Sequence, residues 1–189
     1  MTRLFISTLL AAAVAPSLAF AADAYLGATA TRGGTLTFVN PVNGKSASAD
    51  ARATYKVYGG YALTDYLAVE GGFAHTGATY YSRTDLGLAS DPTFRMQSYY
   101  VAAWLTHRFN EDWSVFGKAG VAHNRFELTD GAGGSGRVSS SKPLLGVGVA
   151  YNVTRAVAAT VEFEHVGTTR EPGLVIKQNK LQLGVMVGF

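Results

Sequence analysis

A chain of 189 residues without cysteine, carrying 16 Lys+Arg against 13 Asp+Glu, has no disulfide framework and lacks the concentrated basic charge of a nucleic-acid binder. Glycine is abundant at 22 residues and aromatics make up 12%, yet beyond the first residues no stretch offers the roughly 18 consecutive apolar residues of a membrane-spanning helix. The longest candidate, 144–161, is interrupted by Asn152, Thr154 and Arg155.

In chain order, Arg3 is followed by an apolar run over 4–14 and then by Ala19-Phe20-Ala21. That is the pattern of a secretory signal with an Ala-x-Ala cleavage site, too short to span a bilayer as a helix. Residues 1–21 are therefore expected to be a signal peptide, and residues 22–189 a single domain.

From there the side chains follow a period of two and almost nowhere a period of 3.6, which is how a barrel strand with one lipid face and one interior face reads. The first strand, 24–31, has the weakest pattern. The second, 54–63, sends Tyr55, Val57 and Tyr61 to lipid and Lys56 and Tyr58 inward; the third, 66–76, sends Leu67, Val69 and Phe73 outward and Glu70 inward. The fourth, 97–109, places Val101, Ala103, Leu105 and Phe109 outside and Ala102, Trp104 and Thr106 inside. The fifth sets Val115, Ala119 and Val121 against Ser114, Lys118 and Gly120, and the sixth sets Leu145, Val147, Val149 and Tyr151 against Leu144, Gly146, Gly148 and Ala150. In the seventh, Val157, Ala159, Val161 and Phe163 oppose Ala158, Thr160, Glu162 and Glu164. In the last, 180–189, one face holds Leu181, Leu183, Val185, Val187 and Phe189, and the other holds Lys180, Gln182, Gly184, Met186 and Gly188.

Short connections at 63–65, 110–112 and 152–155 alternate with long ones at 32–53, 77–95, 129–141 and 168–178. Short periplasmic turns and longer outer loops are the habit of bacterial barrels, so the two rims can be told apart. Eight strands with both ends on one side close without an unpaired edge. The expected fold is all-β: an eight-stranded antiparallel up-and-down transmembrane β-barrel. Tyr61, Tyr66, Phe109, Trp113, Tyr151 and Phe189 gather near the short-turn rim as an interfacial girdle.

Three segments carry a family resemblance: Val57-Tyr58-Gly59-Gly60-Tyr61-Ala62-Leu63-Thr64-Asp65-Tyr66-Leu67-Ala68-Val69-Glu70, Phe116-Gly117-Lys118-Ala119-Gly120-Val121, and the ending Leu181-Gln182-Leu183-Gly184-Val185-Met186-Val187-Gly188-Phe189. Across the mature chain the sequence resembles the OmpA-like family of small outer-membrane barrels, which includes the OmpX and opacity-type proteins. The resemblance implies a bacterial outer-membrane location and an interior ion-pair network with Glu70 and Lys118 at matching positions. It also implies that the final Phe189 belongs to the signal read by the barrel-assembly machinery. Larger members carry a peptidoglycan-binding domain after the barrel; here the chain stops at Phe189, and no such tether is expected.

The alternation puts Lys56, Glu70, Lys118, Glu162, Glu164 and Lys180 inside a barrel too narrow for a wide aqueous channel. Paired, they satisfy one another and fill the lumen, since unpaired buried charges cost several kcal/mol. The same residues read differently as a gated small-ion path, and a Glu162/Glu164 couple as an acid/base site, although residues two apart on a strand share a face through the pleat alone.

His165 beside Glu164 raises the possibility of a lipid A-modifying enzyme, but Val166-Gly167-Thr168 follows in place of the His-x-Ser-Asn pattern of such enzymes. His75, His107 and His123 lack metal-ligand spacing, so no metal site or cofactor is expected. Gly131-Ala132-Gly133-Gly134-Ser135-Gly136 has no following Lys-Ser/Thr and reads as a flexible hairpin loop. The outer loops hold Arg32, Lys45, Arg52, Arg83, Arg95, Arg137, Lys142, Arg170 and Lys177 against Asp50, Asp85, Asp91, Asp130 and Glu171, a basic excess suited to outer-membrane lipids and the phosphates of lipopolysaccharide. The expected role is structural and interactive, with no catalysis and no nucleic acid. A narrow channel is the alternative, a soluble periplasmic barrel the remaining rival, and no feature sets the oligomeric state.

Overall fold

The computed structural model describes residues 24–31, 35–39, 44, 46–50, 53–80, 93–129, 134–171 and 174–189. Its elements are β1 (Ala24–Thr31), β2 (Thr35–Val39), β3 (Ser46–Asp50), β4 (Thr54–Ala62), β5 (Leu67–Tyr80), β6 (Thr93–Arg108), β7 (Trp113–Thr129), β8 (Ser135–Asn152), β9 (Val157–Glu171) and β10 (Leu174–Gly188), with no helix among the described residues. All pairings are antiparallel. The order β1-β4-β5-β6-β7-β8-β9-β10 returns to β1 through a ladder from Tyr25↔Gly188 to Thr31↔Gln182, which closes an eight-stranded barrel. Closure pairs the backbone groups that lipid has no means of satisfying.

The three short turns share one local solution. Leu63, Phe109 and Val153 donate their N–H groups to the carbonyls of Leu67, Trp113 and Val157 at 2.8, 3.0 and 2.9 Å. The next residue, Thr64, Asn110 or Thr154, turns its side-chain oxygen onto the turn and accepts from the N–H groups of Leu67, Trp113 and Val157 at 3.1, 2.7 and 3.0 Å. Threonine and asparagine are chosen here because their short side chains can replace a backbone acceptor.

The opposite rim departs from expectation. The long loops read from sequence contain strand: β2 and β3 form a hairpin inside the first, with β2 paired to β10, and β5 to β10 extend into the ends of the other three. Gly136 and Ser135, expected in a loop, pair with Leu128 and Thr129. With 17 and 18 residues, β7 and β8 are longer than a bilayer requires. At about 3.3 Å per residue and a tilt of about 40°, they reach roughly 43 Å, against an apolar band of about 25 Å. One side chain interrupts the wall: Pro143 has no N–H, and β8 pairs with β9 only from Leu144↔Val166 downward while its ladder to β7 continues above. The expected leader 1–21, and Arg32, Lys45, Arg52, Arg83, Asp85, Asp91 and Asp130, lie outside the described residues.

Faces are inverted relative to a soluble protein. Val101, Leu145, Val147, Leu181 and Leu183 are exposed on the outer wall, whereas Lys56, Glu70, Lys118, Glu162 and Glu164 are buried within. Higher on β6 and β7 the faces exchange character. There Phe94, Met96 and Phe126 point inward and are buried, with the two phenyl rings stacked at 5.7 Å, while Arg95, Arg125 and Glu127 lie on the outer face. Tyr99 is the last large apolar residue on the outer face of β6 before this change, and it marks where the lipid-facing wall ends.

Candidate functional site

Five ionisable side chains meet in the middle of the lumen, supplied by four strands. Lys118 of β7 places Nζ 2.7 Å from Glu70 Oε1 of β5 and 3.1 Å from Glu162 Oε1 of β9. Lys56 of β4 places its Nζ 3.2 Å from Glu162 Oε2 and 2.8 Å from Glu164 Oε2. The result is a chain of alternating sign, Glu70–Lys118–Glu162–Lys56–Glu164, drawn across the barrel. Lys180 stands opposite Glu164 in the β9–β10 ladder and is only half-buried; it makes no direct ion pair among the described residues. Counting it, three ammonium groups balance three carboxylates, which is the condition for holding charge away from bulk water.

Aromatic side chains complete this centre: Trp104 and Tyr58, which the alternation had already turned inward, and Tyr25, Tyr100 and Phe116, which sequence reasoning passed over. Glu70 accepts from the hydroxyl of Tyr100 at 2.5 Å and from that of Tyr25 at 3.2 Å. Lys118 Nζ lies 4.7 Å from the centre of the Trp104 ring, and Trp104 stacks on Phe116 at 4.1 Å. The sequence did hold a signal for these positions. In the ladders, Tyr58 faces Gly27, Tyr25 faces Gly60, Tyr100 faces Gly72 and Phe116 faces Gly148. A Cβ built on each of these glycines would meet its partner's ring at 2.2–2.6 Å. An inward aromatic opposite a glycine is thus a packing unit, with the ring lying flat over the space that the missing side chain leaves.

Below the ion chain, toward the short turns, lies a cavity of about 420 Å³. Tyr25 and Trp104 line it on the side of the ion chain, and Arg108, Glu111 and Arg155 line it near the turns. The remaining candidates are apart from it. His165 shares a 2.6 Å contact between its Nδ1 and Asn179 Oδ1, and His123 a 3.0 Å contact between its Nδ1 and Ser141 Oγ. No group of three or more potential metal ligands is found among the described residues. Phe189 is exposed and donates its N–H to the Ala24 carbonyl at 3.0 Å, beside the closing seam.

Comparison with known proteins agrees with this architecture. Neisserial surface protein A (NspA) superposes with a TM-score of 0.66 at 18% identity, over 88% of this chain and 97% of that one. The attachment invasion locus protein Ail of Yersinia pestis, crystallised in complex with the heparin analogue sucrose octasulfate, gives 0.56 at 18% identity, over 88% and 99%. OprG of Pseudomonas aeruginosa gives 0.58 at 12% identity, over 88% and 90%. Identities this low speak for the fold alone. No curated protein sequence matches the chain. The sequence model described as the outer membrane protein beta-barrel domain, however, matches residues 6–189, nearly the entire length, and the chain belongs to that family.

Proposed function

We propose that the protein is a plugged structural and interaction barrel of the outer membrane, with no catalytic role. Cleavage after Ala21 would release residues 22–189, and Phe189 would serve the barrel-assembly machinery as the insertion signal. The observation that carries the reading is the buried chain Glu70–Lys118–Glu162–Lys56–Glu164 across the lumen, combined with an apolar outer wall. Work is left to the surfaces: the wall binds lipid, and the outer strands and loops contact lipopolysaccharide or another cell. The network of Lys56, Glu70, Lys118, Glu162, Glu164 and Lys180 then holds the barrel shut and rigid.

Liposome swelling tests the plug. Vesicles reconstituted with the folded chain are expected to swell in small sugars no faster than protein-free vesicles. Rapid swelling would remove the plugged reading.

The cavity of about 420 Å³ that leads from the short-turn rim to the ion chain favours a second reading, a narrow ion path. It predicts single-channel steps in planar bilayers that change in Glu70→Ala or Lys118→Ala. The plugged reading predicts none.

A further inference from the structure

The exchange of faces at Tyr99 locates the top of the lipid-facing wall, and the residues directly above it form a charged patch. On the outer face, β6 continues from Tyr99 to Gln97 and Arg95, β7 from Val121 to His123, Arg125 and Glu127, and β8 upward from Pro143 to Ser141, Ser139 and Arg137. Arg95 and Arg137 are the direct ladder partners of Glu127 on either side. Arg125, two residues lower on β7, is diagonal to both. Direct cross-strand neighbours lie about 5 Å apart and diagonal ones about 7–8 Å, so three arginines are anchored on one face around a single glutamate.

Arg137 donates from Nη2 and Nε to Glu127 Oε1 at 2.9 and 3.1 Å, in a pair exposed to solvent. No other ion pair at Arg95, Arg125 or Arg137 is present among the described residues. Three cations and one anion leave a surplus of two positive charges on an exposed wall. Ser139 and Gln97, the ladder partners of Arg125 on the same face, add neutral hydrogen-bonding groups.

We propose that Arg95, Arg125 and Arg137 form a phosphate-binding site for the headgroup of an outer-leaflet glycolipid, the phosphorylated lipid A part of lipopolysaccharide. Its acyl chains would lie along Tyr99, Val101 and Val121. A guanidinium presents paired donors that match phosphate oxygens, and such charge-assisted bonds are stronger than neutral ones. The position supports a lipid over a soluble anion, because the cations continue the same face as the greasy wall, past the uncharged Gln97, Ser139 and Ser141 and His123. This site deepens the proposed contact with outer-leaflet lipid and rests on that reading of the wall.

The test uses the full chain, first inserted into phosphatidylcholine vesicles and then studied in detergent micelles. It is titrated there with bis-phosphorylated lipid A, with the same lipid dephosphorylated, and with inorganic phosphate. Bis-phosphorylated lipid A is expected to bind saturably and about tenfold or more tightly than the dephosphorylated form, an advantage lost in Arg125→Glu/Arg137→Glu. Arg125→Lys is expected to retain part of it. Arg108→Glu/Arg155→Glu, at the opposite rim, is expected to change nothing. Equal binding of the two lipids, or unchanged binding in the outer-rim double variant that still runs as a folded barrel on a gel, overturns the site and leaves the lipid-facing wall intact. Inorganic phosphate binding as tightly as the lipid overturns the lipid assignment. A chain that does not insert into vesicles overturns both the site and the membrane reading.

Discussion

Lys118→Met is expected to destabilise the barrel by about 3–5 kcal/mol, the loss found when one member of a buried ion pair is removed and its partner stays charged. Glu70 has Lys118 as its direct ammonium partner, at 2.7 Å, and among the described residues only the hydroxyls of Tyr25 and Tyr100 besides. Glu162 keeps Lys56 at 3.2 Å. The damage therefore centres on Glu70, which is fully buried. Adding Glu70→Gln restores the balance between the remaining lysines and glutamates, so the double variant is expected to regain at least about half of the loss. Urea unfolding in phosphatidylcholine vesicles, followed by the fluorescence of Trp104 in the interior and Trp113 at the rim, measures both. A single variant within about 0.5 kcal/mol of the parent would show that the ion chain does not hold the lumen together.

Gly120→Val should prevent folding outright, whereas Gly117→Val, three residues earlier on the same strand, should be tolerated. A Cβ at Gly120 would stand 2.1 Å from the Val101 carbonyl oxygen and 2.6 Å from Ala102 Cα and Cβ. These obstacles are mainly backbone of the neighbouring strand, so no rotamer relieves them and the β6–β7 ladder must part. A cost above about 4 kcal/mol is expected. At Gly117 nothing lies within 4 Å of the added atom. Valine there gains strand propensity and faces lipid, so stability is expected to stay within about 0.5 kcal/mol. The fraction of chain migrating as the compact, unheated form on a gel separates the outcomes. Normal folding of Gly120→Val would mean that β6 and β7 are not packed as described.

The membrane-embedded half of the barrel was legible because two periods coincide there. In 180–189 every odd residue but one is a large aliphatic and the last is Phe189, and the pleat allows no other arrangement that hides five of them on one face. The same alternation brought Lys56, Glu70, Lys118, Glu162 and Glu164 to one interior. It does not say which cation meets which carboxylate, because the contacts between β4 and β9 cross the lumen and follow the shear of the closed barrel.

The outer half was misread for a physical reason. Above the bilayer the faces exchange character, so Phe94, Met96 and Phe126 alternate with Arg95, Arg125 and Glu127 in the opposite sense, and a search for lipid-facing apolar residues ends the strand too early. Arg125 was overlooked as a wall residue on that account. Likewise, Tyr25 and Tyr100 become visible only when each is set against the glycine across its ladder, a pairing that depends on register.

The central claim is that one face of each strand touches acyl chains and the other is sealed from them. Since the chain lacks cysteine, a single-cysteine scan of residues 144–151 on β8 can carry a spin label at each position in phosphatidylcholine vesicles. The barrel predicts high oxygen accessibility at 145, 147 and 149, low accessibility at 144, 146 and 148, and exclusion of a water-soluble nickel chelate from Val147. Loss of the two-residue period, or nickel reaching Val147 as readily as oxygen does, would contradict it.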